Sequence, residues 1–470
     1  MTAAMPSEET RVTAGLEGGK DVATAKARAG SSRLRRLLPA GVVGGGGLAL
    51  LIATVLSNAG NLVFAVTMSR QLGAGRFGAY GSIQGIVTVI VVLTTSVQLA
   101  IAHTVASRLS RNARLLLRRP AAGALAAGVG AFVVTAAVSP FLKGYLHLSS
   151  LVPVLLLGLV MTPTLAMSVP TGILLGRQRY GVVGASLVAG SFFRVLVGPI
   201  FVASGMGLNG ALWATVADQL VTYIVVSWAL RHEIGSAAGE RLSTRLGGAT
   251  LSLVALSGLS AYTAVDSIFA RHFLGSAAAG HYVAASTAAR IALFAPMAVA
   301  LIVFPRFSAL EKGDPGERRL LGEALAVTAL LSLGAAVVLM AFPNLVVHLM
   351  FGGRYASSAP LLRILALAGA ALGILGLLVY YHLARSSIAS TWPWLGVLAT
   401  AGVITLASHG SGTQIAWVMV GSTAAVLVAT LVTPPWRITL GRERSGVLSV
   451  GRPIVGEVET GPAVTETVGD

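Results

Sequence analysis

The sequence predicts an all-α integral membrane protein, with twelve transmembrane helices in two parallel six-helix repeats. Three observations carry that reading. The 470 residues are 55% hydrophobic and only 11% charged, with a mean hydropathy of +0.80, whereas soluble globular proteins carry about 25% charged residues. Apolar runs long enough to cross a bilayer recur along almost the whole chain. Finally, LGAGRFGAY at 72–80 returns as LGSAAAGHY at 274–282, with Leu, Gly, Gly and Tyr at identical offsets.

Allowing about 20 residues per span, the apolar runs fall at 46–69, 80–102, 120–141, 151–175, 181–203, 207–230, 247–273, 281–305, 320–345, 358–383, 391–408 and 413–433. Residues 1–43 are polar, Gly/Ala-rich and basic, and are expected to form a disordered cytoplasmic tail. Within them SSRLRRLLPA has the composition of a short basic surface helix. About forty residues before the first run, and no small-residue cleavage site after it, mark that run as a retained anchor rather than a signal peptide. Residues 434–470 follow Pro434 and Pro435, start basic, end acidic, and have no periodic apolar face. They too are expected to be disordered.

Charge placement sets the expected orientation. With the N-terminus inside and spans alternating, 26 of the 34 Lys and Arg residues fall on the inner side and five on the outer. Basic residues collect in cytoplasmic loops because translocating them is unfavourable, so both termini are expected in the cytoplasm. The same asymmetry accounts for the net charge of +17 without invoking a nucleic-acid partner. The absence of cysteine removes disulfides, thiolate metal sites and cysteine nucleophiles. A basic set that is nearly all Arg, together with abundant Ala, Gly and Val, points to a GC-rich bacterial genome and hence a bacterial plasma membrane.

The repeated motif joins spans 1 and 2 and again spans 7 and 8. Six spans separate the copies, so both halves face the same way. The expected organisation is an N-lobe over 44–230, a cytoplasmic inter-lobe loop over 231–246 and a C-lobe over 247–433. Repeats of this kind are a transporter signature, with the substrate site between the halves.

Several longer stretches then point to a family. LSNAGNLVFAVTMSRQLGAGRFGAYGSIQGI, TGILLGRQRYGVVGAS, YTAVDSIFARHFLGSAAAGHYVAASTAARIALFAPMAVALIVFPRFSAL and MFGGRYASSAPLLRILAL resemble, in order, the polysaccharide-biosynthesis, O-antigen-type flippases of the multidrug/oligosaccharidyl-lipid/polysaccharide (MOP) exporter superfamily. The resemblance implies two lobes around a central cavity. It implies movement of an undecaprenyl-diphosphate-linked oligosaccharide across the membrane by alternating access, in a pathway whose glycosyltransferases and glycan polymerase would be partners. A drug or metabolite antiporter of the same superfamily is the alternative. The drug/cation relatives often carry an acidic site in the first helix, where this chain has Asn58 and Asn61 and no carboxylate. A membrane-embedded polymerase or ligase would need a sizeable outer loop or paired acidic residues there, and neither is present in the sequence.

Charges within spans are costly, about 2.5–3.5 kcal/mol each on insertion scales, so each is a candidate. Arg194 and Asp218, on spans 5 and 6, differ in depth by roughly 3 Å at 1.5 Å per residue, and Asp266 and Arg290, on spans 7 and 8, by roughly 4–5 Å. Both are expected to pair across adjacent helices, either as structural ion pairs or as a basic lining for a diphosphate. In the second case Arg290 and Arg194 would bind it, and Asp218 and Asp266 would orient the guanidinium groups or couple transport to an ion. Asn58 and Asn61 on span 1, and Gln84 and Gln98 on span 2, could bond sugar hydroxyls or a neighbouring helix. His103 and Arg108 sit at the inner mouth. Pro153, Pro163 and Pro170 are expected to bend span 4, and Pro296 and Pro305 to interrupt span 8. GGGG at 44–47 lacks the Lys-Ser/Thr of a phosphate loop. No cofactor, metal cluster or catalytic residue is expected.

Overall fold

A computed structural model describes residues 46–108, 115–116, 118–231, 240–241, 250–310 and 314–433. The expectations for both tails, for most of 231–246 and for the side chains of His103 and Arg108 lie outside the described residues. Among the described residues the fold is all-α apart from one two-residue parallel pairing, β1 (Leu115–Leu116) with β2 (Glu240–Arg241). That pairing brings the loop after span 2 and the inter-lobe loop to one face.

In the N-lobe, α1 (Gly46–Arg108) is followed by α2 (Arg118–Ala137), α3 (Ser139–Tyr145), α4 (Val152–Ala166), α5 (Ser168–Gly176), α6 (Tyr180–Phe201) and α7 (Gly207–Ala229). The C-lobe contains α8 (Thr250–Tyr262), α9 (Val265–Phe273), α10 (Ser276–Ala289), α11 (Ile291–Ala309), α12 (Pro315–Ala341), α13 (Pro343–Phe351), α14 (Ala359–Ala384), α15 (Pro393–Leu406) and α16 (Gly412–Val432). Among the described residues, eight stretches are long and apolar enough to cross a membrane by length and composition, or nine with the bent pair α8–α9. Two of these run for 60 and 50 residues. At 1.5 Å per residue the longer would measure about 90 Å, three times a bilayer core, so each must be two crossings. The divisions are visible: Gly73 (φ 72, ψ 168) breaks α1, and Gly205 (φ 94) and Gly207 (φ 53) separate α6 from α7. With α8–α9 and α10–α11 each taken as one broken crossing, the path is consistent with twelve spans. The protein is a multi-pass membrane protein, and many of its large apolar side chains are exposed on the outside of the bundle.

Gly73 can make its turn because a left-handed φ carries no Cβ penalty in glycine. The equivalent Gly275 lies instead in extended backbone (φ −57, ψ 153). The two copies of the repeated motif pack directly on each other. A Cβ on Gly78 would lie 2.8 Å from the backbone nitrogen of Gly280, and one on Gly280 would lie 1.8 Å from the carbonyl oxygen of Ala74. At the repeat the two lobes thus meet backbone to backbone. Phe77 of the N-lobe packs there against Phe351 and Tyr355 of the C-lobe, with ring centroids 6.3 and 6.1 Å away.

One of the two proline expectations needs correcting. Span 8 is not interrupted at Pro296 or Pro305, since α11 runs through both. The break lies at Arg290 (φ −63, ψ −14), where Leu293 N–H turns back to the Arg290 carbonyl in a tighter i→i+3 bond. Pro296 sits within the second turn of the new helix. Span 4 does break, at Met167 between Pro163 and Pro170. The pieces on both sides are buried, so this is a packed kink.

Candidate functional site

A cavity of about 460 Å³ lies between the lobes. Its lining begins at Phe77, Tyr80, Gly81 and Val283, just beyond the Gly78–Gly280 contact, and continues away from that end to Thr54, Val92 and Phe294. The repeated turns therefore close one end of the cavity. Asn58, Asn61, Gln84, Arg194, Asp218 and Arg290 all line it. Asp266 does not. It lies behind Arg290 on a side void of about 20 Å³.

The expected Arg194–Asp218 pair is present, Nη1 to Oδ2 at 3.6 Å, with both residues buried. Arg194 has further partners. Nη1 donates to Asn61 Oδ1 at 3.0 Å, and Nη2 donates to the Tyr80 hydroxyl and to Gln84 Oε1 at 3.4 Å. Its guanidinium stands 4.2 Å over the Phe64 ring. The Arg194 fork is largely occupied by protein groups, and Asn61 and Gln84 are committed with it.

The expected Asp266–Arg290 pair does not close into a contact ion pair, although the two charges still interact at longer range, and the broken helices explain why. Where α8 gives way to α9, the Ser267 N–H turns to Asp266 Oδ1 at 2.7 Å and leaves the Thr263 carbonyl without its helical donor. Arg290 Nη2 takes up that carbonyl at 2.9 Å. Asp266 instead caps the first turn of α9, where helix-end N–H groups favour a carboxylate. It also accepts from the Tyr282 and Ser286 hydroxyls at 3.2 and 3.0 Å. Similar depth in the bilayer did not suffice, because these nearer donors saturate the carboxylate. Nε is buried without a hydrogen-bond partner in both cavity arginines, but among the described residues Arg194 has four polar partners and Arg290 one, which makes Arg290 the less committed of the two.

A model of the family described as polysaccharide biosynthesis protein matches residues 67–360. The chain belongs to that family. No curated protein matches the sequence. Among solved structures, the protein is similar to a multidrug resistance MATE family transporter of the MOP superfamily. The inward-facing conformation matches with a TM-score of 0.65 at 15% identity, over 80% of this chain and 93% of that one. The outward-facing conformation matches at 0.58 and 16%, over 82% and 92%. A MOP superfamily transporter from Pyrococcus furiosus, described as having reversed binding-pocket polarity and a different function, matches at 0.52 and 16%, over 82% and 94%. The fold of this family member is therefore that of MOP-superfamily transporters.

The roles of Tyr80 and Tyr282 go beyond their place in the repeated motif. Each hydroxyl serves a buried charged group of its own lobe, Arg194 in one and Asp266 in the other. Their identical offset in the two motifs was the available signal. The Thr263 carbonyl left no signal, since a backbone acceptor freed by a helix break has no sequence signature.

Proposed function

We propose that this polysaccharide biosynthesis family member is a flippase. It moves an undecaprenyl-diphosphate-linked oligosaccharide or related glycolipid across the bacterial plasma membrane, by alternating access of the inter-lobe cavity. The observation that carries the reading is the chemistry of the cavity wall. Hydroxyl and amide groups, among them Asn58, Thr88, Gln219 and Thr222, surround Arg290, whose guanidinium has one polar partner among the described residues where that of Arg194 has four. Amides and hydroxyls can both give and accept hydrogen bonds, as sugar hydroxyls demand. A planar guanidinium matches phosphate oxygens. An organic cation finds little here, because Asp218 is paired with Arg194 and Asp266 caps α9 behind the wall. That weighs against the antiporter alternative.

The test is loss of the gene. Lipid-linked oligosaccharide should accumulate in the cytoplasmic leaflet while its synthesis continues, and Arg290→Ala should reproduce the defect at normal membrane abundance. Unchanged surface glycan together with sensitivity to cationic dyes would replace this reading with the antiporter.

A further inference from the structure

The end of the cavity closed by the repeated turns is also tied by side chains that cross between the lobes. Arg70, three residues before Gly73, donates from Nε to the Met350 carbonyl at 3.1 Å and from Nη2 to the Leu349 carbonyl. Those carbonyls belong to the last turn of α13, where no intrahelical N–H remains for them. In the other lobe Arg271, four residues before Gly275, does the converse. Its Nε donates to the Leu146 carbonyl at 2.9 Å, its Nη2 to the His147 carbonyl at 3.0 Å and its Nη1 to the Gly75 carbonyl at 3.4 Å. Leu146 is the C-cap of the short helix α3, and His147, which follows it, has the left-handed φ of 49° that often comes after a helix end. Each lobe therefore grips the end of the short helix that precedes the fourth span of the other. Two more bonds cross at this end: the Tyr355 hydroxyl donates to the Ser69 carbonyl at 2.9 Å, and His272 Nδ1 meets the Tyr145 carbonyl at 2.9 Å.

We infer that Arg70 and Arg271 are reciprocal latches that hold this end of the cavity shut, and that both must let go for the cavity to open there. The inference rests on the alternating-access reading above and not on the identity of the substrate. The chemistry suits a reversible closure. The gripped groups are backbone carbonyls at helix ends, which water can satisfy once the lobes part, so release exchanges hydrogen bonds rather than stranding charges. Such exchanges leave a small net free energy compared with the gross strength of the bonds. Guanidinium groups at helix C-termini also gain from the helix dipole without a carboxylate partner. At the other end of the cavity α11, the second half of span 8, packs on α12 and α14 of its own lobe. Every lobe-to-lobe hydrogen bond described above lies at the end carrying the latches.

The test uses the cysteine-free background. A Cβ at Gly75 would stand 3.5 Å from Ser276 Cβ, at the lower limit of about 3.5–4.5 Å for a disulfide. Gly75→Cys with Ser276→Cys should therefore cross-link the lobes when this end is shut. The oxidation rate is read in purified protein in lipid nanodiscs, with intact latches and with Arg70→Ala, Arg271→Ala and both. Each single change is expected to slow cross-linking a few-fold, and the pair roughly tenfold, the factor that corresponds to about 1.4 kcal/mol. Parental rates in the double variant would overturn the inference. Should the alanine pair fail to accumulate, Arg70→Lys with Arg271→Lys gives the same reading, since lysine lacks the fork, and an unchanged rate overturns the inference equally. The second arm is export by the oxidised protein in cells. It should stop on cross-linking and return with reductant, and full export by the oxidised form would overturn the inference. No substrate enters the first arm. Cross-linking that follows the latches, beside normal export by Arg290→Ala, would remove the diphosphate reading and leave the latches standing.

Discussion

Replacing Gly280 by alanine should drive the lobes apart at the end closed by the repeated turns. The added methyl would lie 1.8, 2.3 and 2.8 Å from the carbonyl oxygen, carbonyl carbon and Cα of Ala74. All three are backbone atoms, so no side chain can rotate away. Restoring an ordinary contact of 3.4 Å needs a displacement of about 1.6 Å. Overpacking of this kind costs about 1–3 kcal/mol, which corresponds to a shift of roughly 5- to 150-fold between closed and open states. The same substitution at Gly78 meets backbone at 2.8 Å and should do less, while Gly275→Ala meets nothing within 4 Å and serves as the control. The assay places Thr287→Cys, a cavity-lining position, in the cysteine-free chain and measures its labelling in intact cells by a membrane-impermeant maleimide. Ser149→Cys, exposed in the turn after α3, reports whether this end faces outward. The expected order of labelling rates is Gly280→Ala, then Gly78→Ala, then Gly275→Ala. Equal rates for Gly280→Ala and Gly275→Ala, in protein of normal abundance, would refute the reasoning.

The two cavity arginines should separate in their effects. Arg194→Ala leaves Asp218 buried without its cation, a loss of about 3–5 kcal/mol, and should lower membrane abundance, with Arg194→Met plus Asp218→Leu recovering it. Arg290→Ala should leave abundance intact and abolish export, because Asp266 keeps its bonds from Ser267, Tyr282 and Ser286. Asp266→Asn trades the charged cap of α9 for a neutral acceptor and should lower thermal stability by about 1–3 kcal/mol, read as a drop in the unfolding midpoint of purified protein. Arg385 and Glu317, a buried pair at 2.8 Å outside the cavity, should behave like Arg194 and Asp218, with Glu317→Ala lowering abundance. Single cysteines at Ser31, Ser236 and Ser445 should escape impermeant maleimide until cells are lysed, and labelling of any one beforehand would contradict a cytoplasmic placement of both tails and the inter-lobe loop.

What the sequence determined by itself was the class of the molecule and its internal duplication. Hydropathy is a local property, so the apolar runs, their approximate lengths and the two matching turns could be read residue by residue, and the family resemblance rested on the same local patterns. The Arg194–Asp218 pair was also within reach, since it joins adjacent spans at similar depth. Tertiary structure decided what depth could not. Which way a side chain points around its helix axis, and which donors lie nearer, put Asp266 on the Ser267 N–H and the hydroxyls of Tyr282 and Ser286 instead of Arg290. The break at Arg290, rather than at the prolines that follow it, came from the same neighbourhood, where two helices are interrupted side by side and share one freed carbonyl. The two copies of the turn were legible, but not that Gly78 and Gly280 would meet. Nor could Arg70 and Arg271 be assigned partners, because those partners are backbone carbonyls about 280 and 125 residues away in the chain. Local chemistry writes the helices into the sequence, whereas contacts between lobes depend on the rotation and register of whole helices, which no short stretch of residues encodes.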